Sequence, residues 1–240
     1  MMDLAPDETQ PTPRTVFLKD YAPPPYWVDR LELAFDLAPE QTRVRSRLQV
    51  RRNLDCREPQ VPFVLDGKEL ELLSLQLDGK PLASDAYQLD EQGLRLASPP
   101  PAFTLEVENL IRPAENTALE GLYLSNGMFC TQCEAEGFRR ITFFPDRPDV
   151  MARYSVTLFA DRRHYPVLLS NGNPVASGEI GDGRHWIRWE DPFPKPSYLF
   201  ALVAGDLAMQ EDRYVTGSGR EVRLQIYVEP NNRHKCDHAL

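Results

Sequence analysis

Period-two alternation of apolar residues runs through most of this chain and restricts it to β structure. Leu31, Leu33, Phe35 and Leu37 alternate with polar or small residues. Val44, Leu48 and Val50 alternate with Arg43, Arg45, Arg47, Gln49 and Arg51, which gives one apolar face and one strongly cationic face. Phe103, Leu105 and Val107, then Tyr154, Val156 and Leu158, then Val222, Leu224, Ile226 and Val228 repeat the pattern. So do Leu73, Leu75 and Leu77, which run into Asp78-Gly79. Successive side chains of a strand point to opposite faces, so each run builds a half-buried strand rather than a helix. Turn signals stand at Asp66-Gly67, Asp78-Gly79, Asn171-Gly172 and Asp182-Gly183. The continuous apolar run from Tyr198 to Ala204 has strand length and suits burial on both faces.

Helix signals are few. Pro148 to Ala152 is expected to give one turn, and residues from Asn231 onward start a helical pattern that stops at Leu240. The expectation is an all-β fold, a sandwich or saddle of antiparallel sheets with very little helix. Residues 1–20 hold prolines, Thr, Asp and Glu with little to bury, and are expected to form a mobile tail. The unfinished helical pattern at 230–240 is expected to be the start of a further, truncated domain.

Charge narrows the function classes. Thirty-six acidic against 27 basic residues give a net charge of −9. An acidic chain gains no counterion-release attraction to nucleic acid or to anionic lipid, so neither is an expected partner. No apolar block of seven or more residues lies near the amino terminus, and no stretch has the length of a membrane span. The four cysteines (Cys56, Cys130, Cys133 and Cys236) are therefore expected to be reduced thiols in a cytoplasmic protein.

Several constellations have unexciting readings. Cys130-Thr-Gln-Cys133 has no second cysteine pair to complete a zinc ribbon and no βαβ context for redox chemistry. His234 and His238 stand four apart, but Lys235 replaces the glutamate that a zinc-peptidase motif needs. His164 and His185 have no nucleophile and carboxylate at recognisable spacing. Gln132, Glu134 and Glu136 alternate, and in an extended segment they would all point one way. Such a set of acceptors has two possible partners. Arg139, Arg140 or Arg147 fills it from within, or an ammonium ligand does.

The segments Ala114 to Tyr123, Cys130 to Phe138, Asp146-Arg-Pro-Asp149, Leu169 to Asn173, Asp191 to Pro196, Tyr198 to Asp206 and Ser218 to Glu221 carry a resemblance. Together they resemble the N-terminal domain of the bacterial aminopeptidase N family, zinc exopeptidases of the gluzincin type. The similarity runs from roughly Tyr21 to Val228. It implies a saddle-shaped antiparallel β domain of about 200 residues, placed here at 21–229, that packs against a catalytic domain in cis. It also implies that Gln132 and Glu134 hold the free α-amino group of a peptide substrate. The family's catalytic motifs do not occur in residues 1–240. Zinc is therefore expected in the full-length enzyme and none on this chain, which should be inactive alone. A stand-alone β-sandwich interaction module is the alternative.

Overall fold

In the computed structural model, residue 15 and residues 17–56 and 61–238 are described. Most of the expected tail, and the chain end at Ala239-Leu240, lie outside the described residues.

Seventeen strands, numbered β1 to β17 in chain order, form four sheets among the described residues. The largest sheet has the order β13 (Asn173–Glu179), β14 (Arg184–Lys195), β11 (Ala152–Asp161), β1 (Tyr26–Asp36), β2 (Thr42–Arg52), β8 (Ala102–Ile111), β4 (Glu71–Leu77) and β5 (Lys80–Pro81). A four-stranded sheet has the order β12 (Val167–Ser170), β15 (Leu202–Gly205), β10 (Met128–Gln132) and β9 (Gly121–Ser125). A three-stranded sheet joins β3 (Phe63–Asp66), β7 (Gly93–Leu96) and β6 (Gln88–Asp90). The fourth is a ribbon of β16 (Ala208–Val215) with β17 (Glu221–Val228). The fold is all-β, and its few helical pieces are 3-10 turns.

Alternation places the core as expected. Leu31, Leu33 and Phe35 of β1, Val44 and Leu48 of β2, Leu105 of β8 and Leu158 of β11 are all buried. They join Phe63 and Leu65 of β3, Phe129 of β10 and Leu202 of β15 in one continuous cluster. The opposite face of the large sheet is charged, and its register sets the charges against each other. Antiparallel pairing puts Arg47 of β2 opposite Glu106 of β8, and their side chains meet at 3.2 Å. Arg43 reaches Glu108 at 2.9 Å, and Arg51 reaches Asp29 at 2.8 Å. Each exposed pair adds only about 0.2–1 kcal/mol, so these contacts select the register more than they stabilise the sheet.

Four local expectations are corrected. β1 and β11 run parallel, with Leu31 facing Tyr154, inside an otherwise antiparallel sheet. Leu73 is exposed because a register shift between Leu72 and Ser74 breaks the alternation, leaving Leu75 as the buried residue of β4. The Tyr198–Ala204 run is only partly strand: Ser197–Leu199 forms a 3-10 turn with Leu199 exposed, and β15 starts at Leu202. In the ribbon, Met209, Tyr214, Val215 and Leu224 are exposed, because β16 and β17 have no strand partner but each other.

Proximity to a partner domain predicts exposed apolar patches around 120–150 and 190–210. Phe193, Leu199 and Met209 are exposed in the second window. The first has its exposed apolar side chains only at its edges, Leu119 and Met151, because Leu122, Phe129, Phe138 and Phe144 are in the core. No helix among the described residues is long and apolar enough to cross a membrane.

Candidate functional site

The site begins where β10 ends. Gln132 is its last residue and sits opposite Gly121 of β9. The chain then turns through Cys133–Gly137, closed by the Gly137 amide donating to the Cys133 carbonyl at 2.9 Å, and enters a 3-10 turn at Phe138–Arg140. The segment is therefore not extended past Gln132, and an alternating, one-sided array of Gln132, Glu134 and Glu136 does not form.

Two glycines make this turn possible. Gly121 has a φ of +72°, a conformation that L side chains rarely adopt. A Cβ on Gly137 would lie 2.3 Å from the Gln132 carbonyl oxygen and 3.0 Å from the Gly121 nitrogen. The turn packs backbone to backbone against the strand that carries Gln132.

Below the turn, Cys133 and Phe138 are buried. The Phe138 ring meets Phe144 and Phe200 edge-on, with centroids 5.3 Å away in each case. Above it, Gln132, Glu134 and Glu136 are exposed. The Gln132 amide nitrogen donates to the Glu134 carbonyl at 3.3 Å, which leaves the Gln132 side-chain oxygen free to accept.

The neighbouring arginines are engaged elsewhere. Arg140, almost fully buried, bridges Glu69 at 2.6 Å and Glu120 at 3.1 Å. Arg147 forks onto Asp149, with its closest contact at 2.7 Å. Burial works against ionisation of Asp149, but hydrogen bonds from Arg147 and Tyr21 outweigh it and hold the carboxyl below its ordinary value. Arg139 binds Asp146 at 3.1 Å and reaches Glu136 at 3.4 Å. Glu134 is left as the carboxylate of this turn with no ion pair or hydrogen bond to its side chain among the described residues.

Of the residues singled out in the sequence, the fold therefore brings Gln132 and Glu134 together and withdraws Glu136 onto Arg139. Sequence reasoning missed the frame beneath them, formed by Arg139, Asp146 and Ser197. The available signal was the polar motif Asp146-Arg-Pro-Asp149, whose first carboxylate is buried.

The other candidates stay apart from this site. No group of three His, Cys, Asp or Glu residues able to hold a metal occurs among the described residues. Burial pushes the Cys133 thiol far above its ordinary value, which opposes the thiolate a metal needs. Burial, with the nearby Glu229 charge, also raises Cys130. The His164 ring is exposed, and His185 bonds to the Tyr165 carbonyl at 2.8 Å. His234 is exposed on the 3-10 helix Pro230–His238.

A thiol titration follows from these burials. Ellman's reagent is expected to label no more than Cys56 and Cys130 in the native protein, with Cys133 and Cys236 reacting only in denaturant. Equal labelling of all four thiols in native buffer would contradict the placement of Cys133 under the turn.

The fold and this turn define an all-β domain with an exposed polar turn at the end of one strand. The chain belongs to the Peptidase M1 N-terminal domain family, which matches residues 28–199. It is 54% identical over 229 residues to aminopeptidase N of Caulobacter vibrioides, covering 95% of this chain and 26% of that protein. It is 46% identical over 228 residues to aminopeptidase N of Escherichia coli, again covering 95% and 26%. Its fold overlays the crystal structure of Legionella pneumophila aminopeptidase A in complex with aspartic acid with a TM-score of 0.88 and 41% identity, covering 92% of this chain and 26% of that one. An M1 zinc metallopeptidase from Deinococcus radiodurans shares the fold at 18% identity, with a TM-score of 0.71, covering 85% and 48%. The chain thus spans about a quarter of the length of the aminopeptidase N relatives it matches.

Proposed function

We propose that this chain is the substrate-anchoring N-terminal domain of a zinc-dependent aminopeptidase that removes N-terminal amino acids from peptides. The carrying observation is the Glu134 carboxylate, unpaired among the described residues, two positions after Gln132, whose amide oxygen is free to accept, with Arg139, Arg140 and Arg147 committed to other acids. An R-NH3+ group supplies the donors that this pair lacks. On the peptide backbone only the first residue carries such a group, so the pair selects a chain end over an internal backbone segment. Leaving the carboxylate unpaired under an internal segment costs at least about 1–3 kcal/mol.

No three-ligand cluster stands among the described residues. The metal and the general base belong to polypeptide outside this chain, which packs on it in cis. The relatives' name, aminopeptidase N, and the aspartic acid held by the Legionella enzyme, an amino acid with a free α-amine, favour this reading. Domain limits of 21–229 are part of the proposal. Within them the β16–β17 ribbon stands apart. A two-stranded ribbon is marginal in water by itself, so it gains stability from the same further polypeptide. A cytoplasmic role in peptide catabolism completes the proposal.

The test is direct. Residues 1–240 with added zinc are expected to leave leucine 4-nitroanilide intact, while the full-length protein cleaves it. Turnover by the purified fragment that survives removal of contaminating peptidases, or its absence from the zinc-loaded full-length protein, would count against the proposal.

A further inference from the structure

Two conspicuous sequence motifs, Asp146-Arg-Pro-Asp149 and Asp191-Pro-Phe-Pro-Lys-Pro196, take no direct part in the proposed amine anchor. Their places in the fold give them a purpose. The Asp146 side chain is 1% exposed. Its Oδ2 accepts from the Arg139 backbone amide and from Arg139 Nε, each at 3.1 Å, and its Oδ1 accepts from the Ser197 hydroxyl. Its carbonyl accepts from Arg139 Nη2 at 3.3 Å, and its own amide donates to Asp66 at 2.9 Å. The buried carboxylate thereby ties the loop after Phe144 to the turn after Pro196 and to the 3-10 turn that follows Glu134, and the Asp146 backbone amide adds the end of β3.

Arg139 is the residue through which this reaches the site. It lies five positions after Glu134, next to Arg140, which Glu69 and Glu120 hold separately. Held by Asp146, its guanidinium reaches Glu136 at 3.4 Å and keeps that second carboxylate off the anchor. We infer that Asp146, braced by Ser197, is a positioning residue that aims Glu134 at the substrate amine and leaves it as the one unpaired acid of the turn. The inference rests on the reading of Glu134 as the amine anchor.

The chemistry explains why a carboxylate stands here. A backbone amide and a guanidinium donate to the same Oδ2, and charge-assisted bonds of this kind are about twice as strong as neutral ones. An amide at position 146 offers one oxygen where the carboxylate offers two, and turns an NH2 group toward either Arg139 or Ser197. The turn would loosen while the apolar bed under Phe138 stays in place.

The experiment uses the zinc-loaded full-length enzyme and two inhibitors that differ only in the α-amine, L-leucinamide and 4-methylpentanamide. In the wild type, leucinamide is expected to bind roughly 30–100-fold tighter, the scale of a hydrogen bond to a charged group. Glu134→Ala should bring that ratio close to one. Asp146→Asn should lower it at least about fivefold by misaligning the anchor, while 4-methylpentanamide affinity changes less than about twofold. Ser197→Ala should lower the ratio in the same direction, and Ser197→Thr should restore it; these two also carry the test if Asp146→Asn does not fold.

A merely structural Asp146 would lower the melting temperature and leave the ratio at its wild-type value in the folded variants. That result overturns the positioning role alone. A ratio near one in the wild type, or one that Glu134→Ala leaves untouched, removes the anchor itself and this inference with it.

Discussion

Replacing Glu134 by Ala in the full-length enzyme is expected to lower kcat/KM by about 100-fold, with zinc content and fold unchanged. The magnitude comes from the strength of the lost contact. The ammonium loses a charge-assisted hydrogen bond of about 1.5–3 kcal/mol, and about 1.4 kcal/mol corresponds to tenfold in rate. Stability should move by less than about 0.5 kcal/mol, because the side chain is exposed and the variant breaks no internal contact. Glu134→Gln should fall between wild type and Ala, since it keeps an acceptor and loses the charge. Gln132→Ala should cost less, roughly fivefold, as a neutral acceptor. Steady-state kinetics alongside zinc analysis decides the matter. Turnover within twofold of wild type in a metal-replete Glu134→Ala enzyme would take the carboxylate out of the binding role.

The second large effect concerns stability. Phe138→Ala should destabilise the chain by about 3–5 kcal/mol, the usual range for deleting a fully buried aromatic ring. Phe138 has no exposed surface, and its ring touches Phe144, Tyr154 and Phe200, which come from three separate stretches of chain. The cavity cannot close without moving all three. At about 2–4 °C per kcal/mol for a domain of this size, the melting temperature should fall by on the order of 10 °C. Thermal unfolding followed by circular dichroism tests this. A fall of under 2 °C would mean that the ring is not packed as described.

The two variants also separate two properties of one short turn. On the proposed reading Glu134 supplies chemistry and almost no stability, whereas Phe138, four residues on, supplies stability and no chemistry. The division follows from the turn itself, whose upper side is open and whose lower side rests on the largest buried rings.

Much of the fold was legible because burial on one side of a sheet imprints a period of two on the sequence. Leu31, Leu33 and Phe35, or Phe103, Leu105 and Val107, can face one core only as strands. The cationic face of β2 was legible too, but its neutralisation was not. That depends on Glu106 and Glu108, which arrive from β8 some sixty residues later. Local pattern likewise gave no sign of the parallel β1–β11 pairing, because alternation looks the same for either strand direction. At the site, residue types pointed to Gln132 and Glu134 but misjudged their geometry. Alternation past position 132 imitates a strand, while the chain turns. Asp146 escaped notice for a different reason. Its partners, Asp66, Arg139 and Ser197, are brought together only by the tertiary fold, and an aspartate in a proline-containing loop ordinarily reads as solvated.

The parallel partnership of β1 and β11 has a consequence for how the protein is made. β1 leaves the ribosome early and can zip to β2 at once, but its other edge must wait for a strand more than a hundred residues downstream. Until Asp161 emerges, that edge keeps a row of unsatisfied amides and carbonyls available to any passing strand. Synthesis of this domain therefore has a vulnerable interval, and agents that shield nascent chains should raise its soluble yield most during that interval.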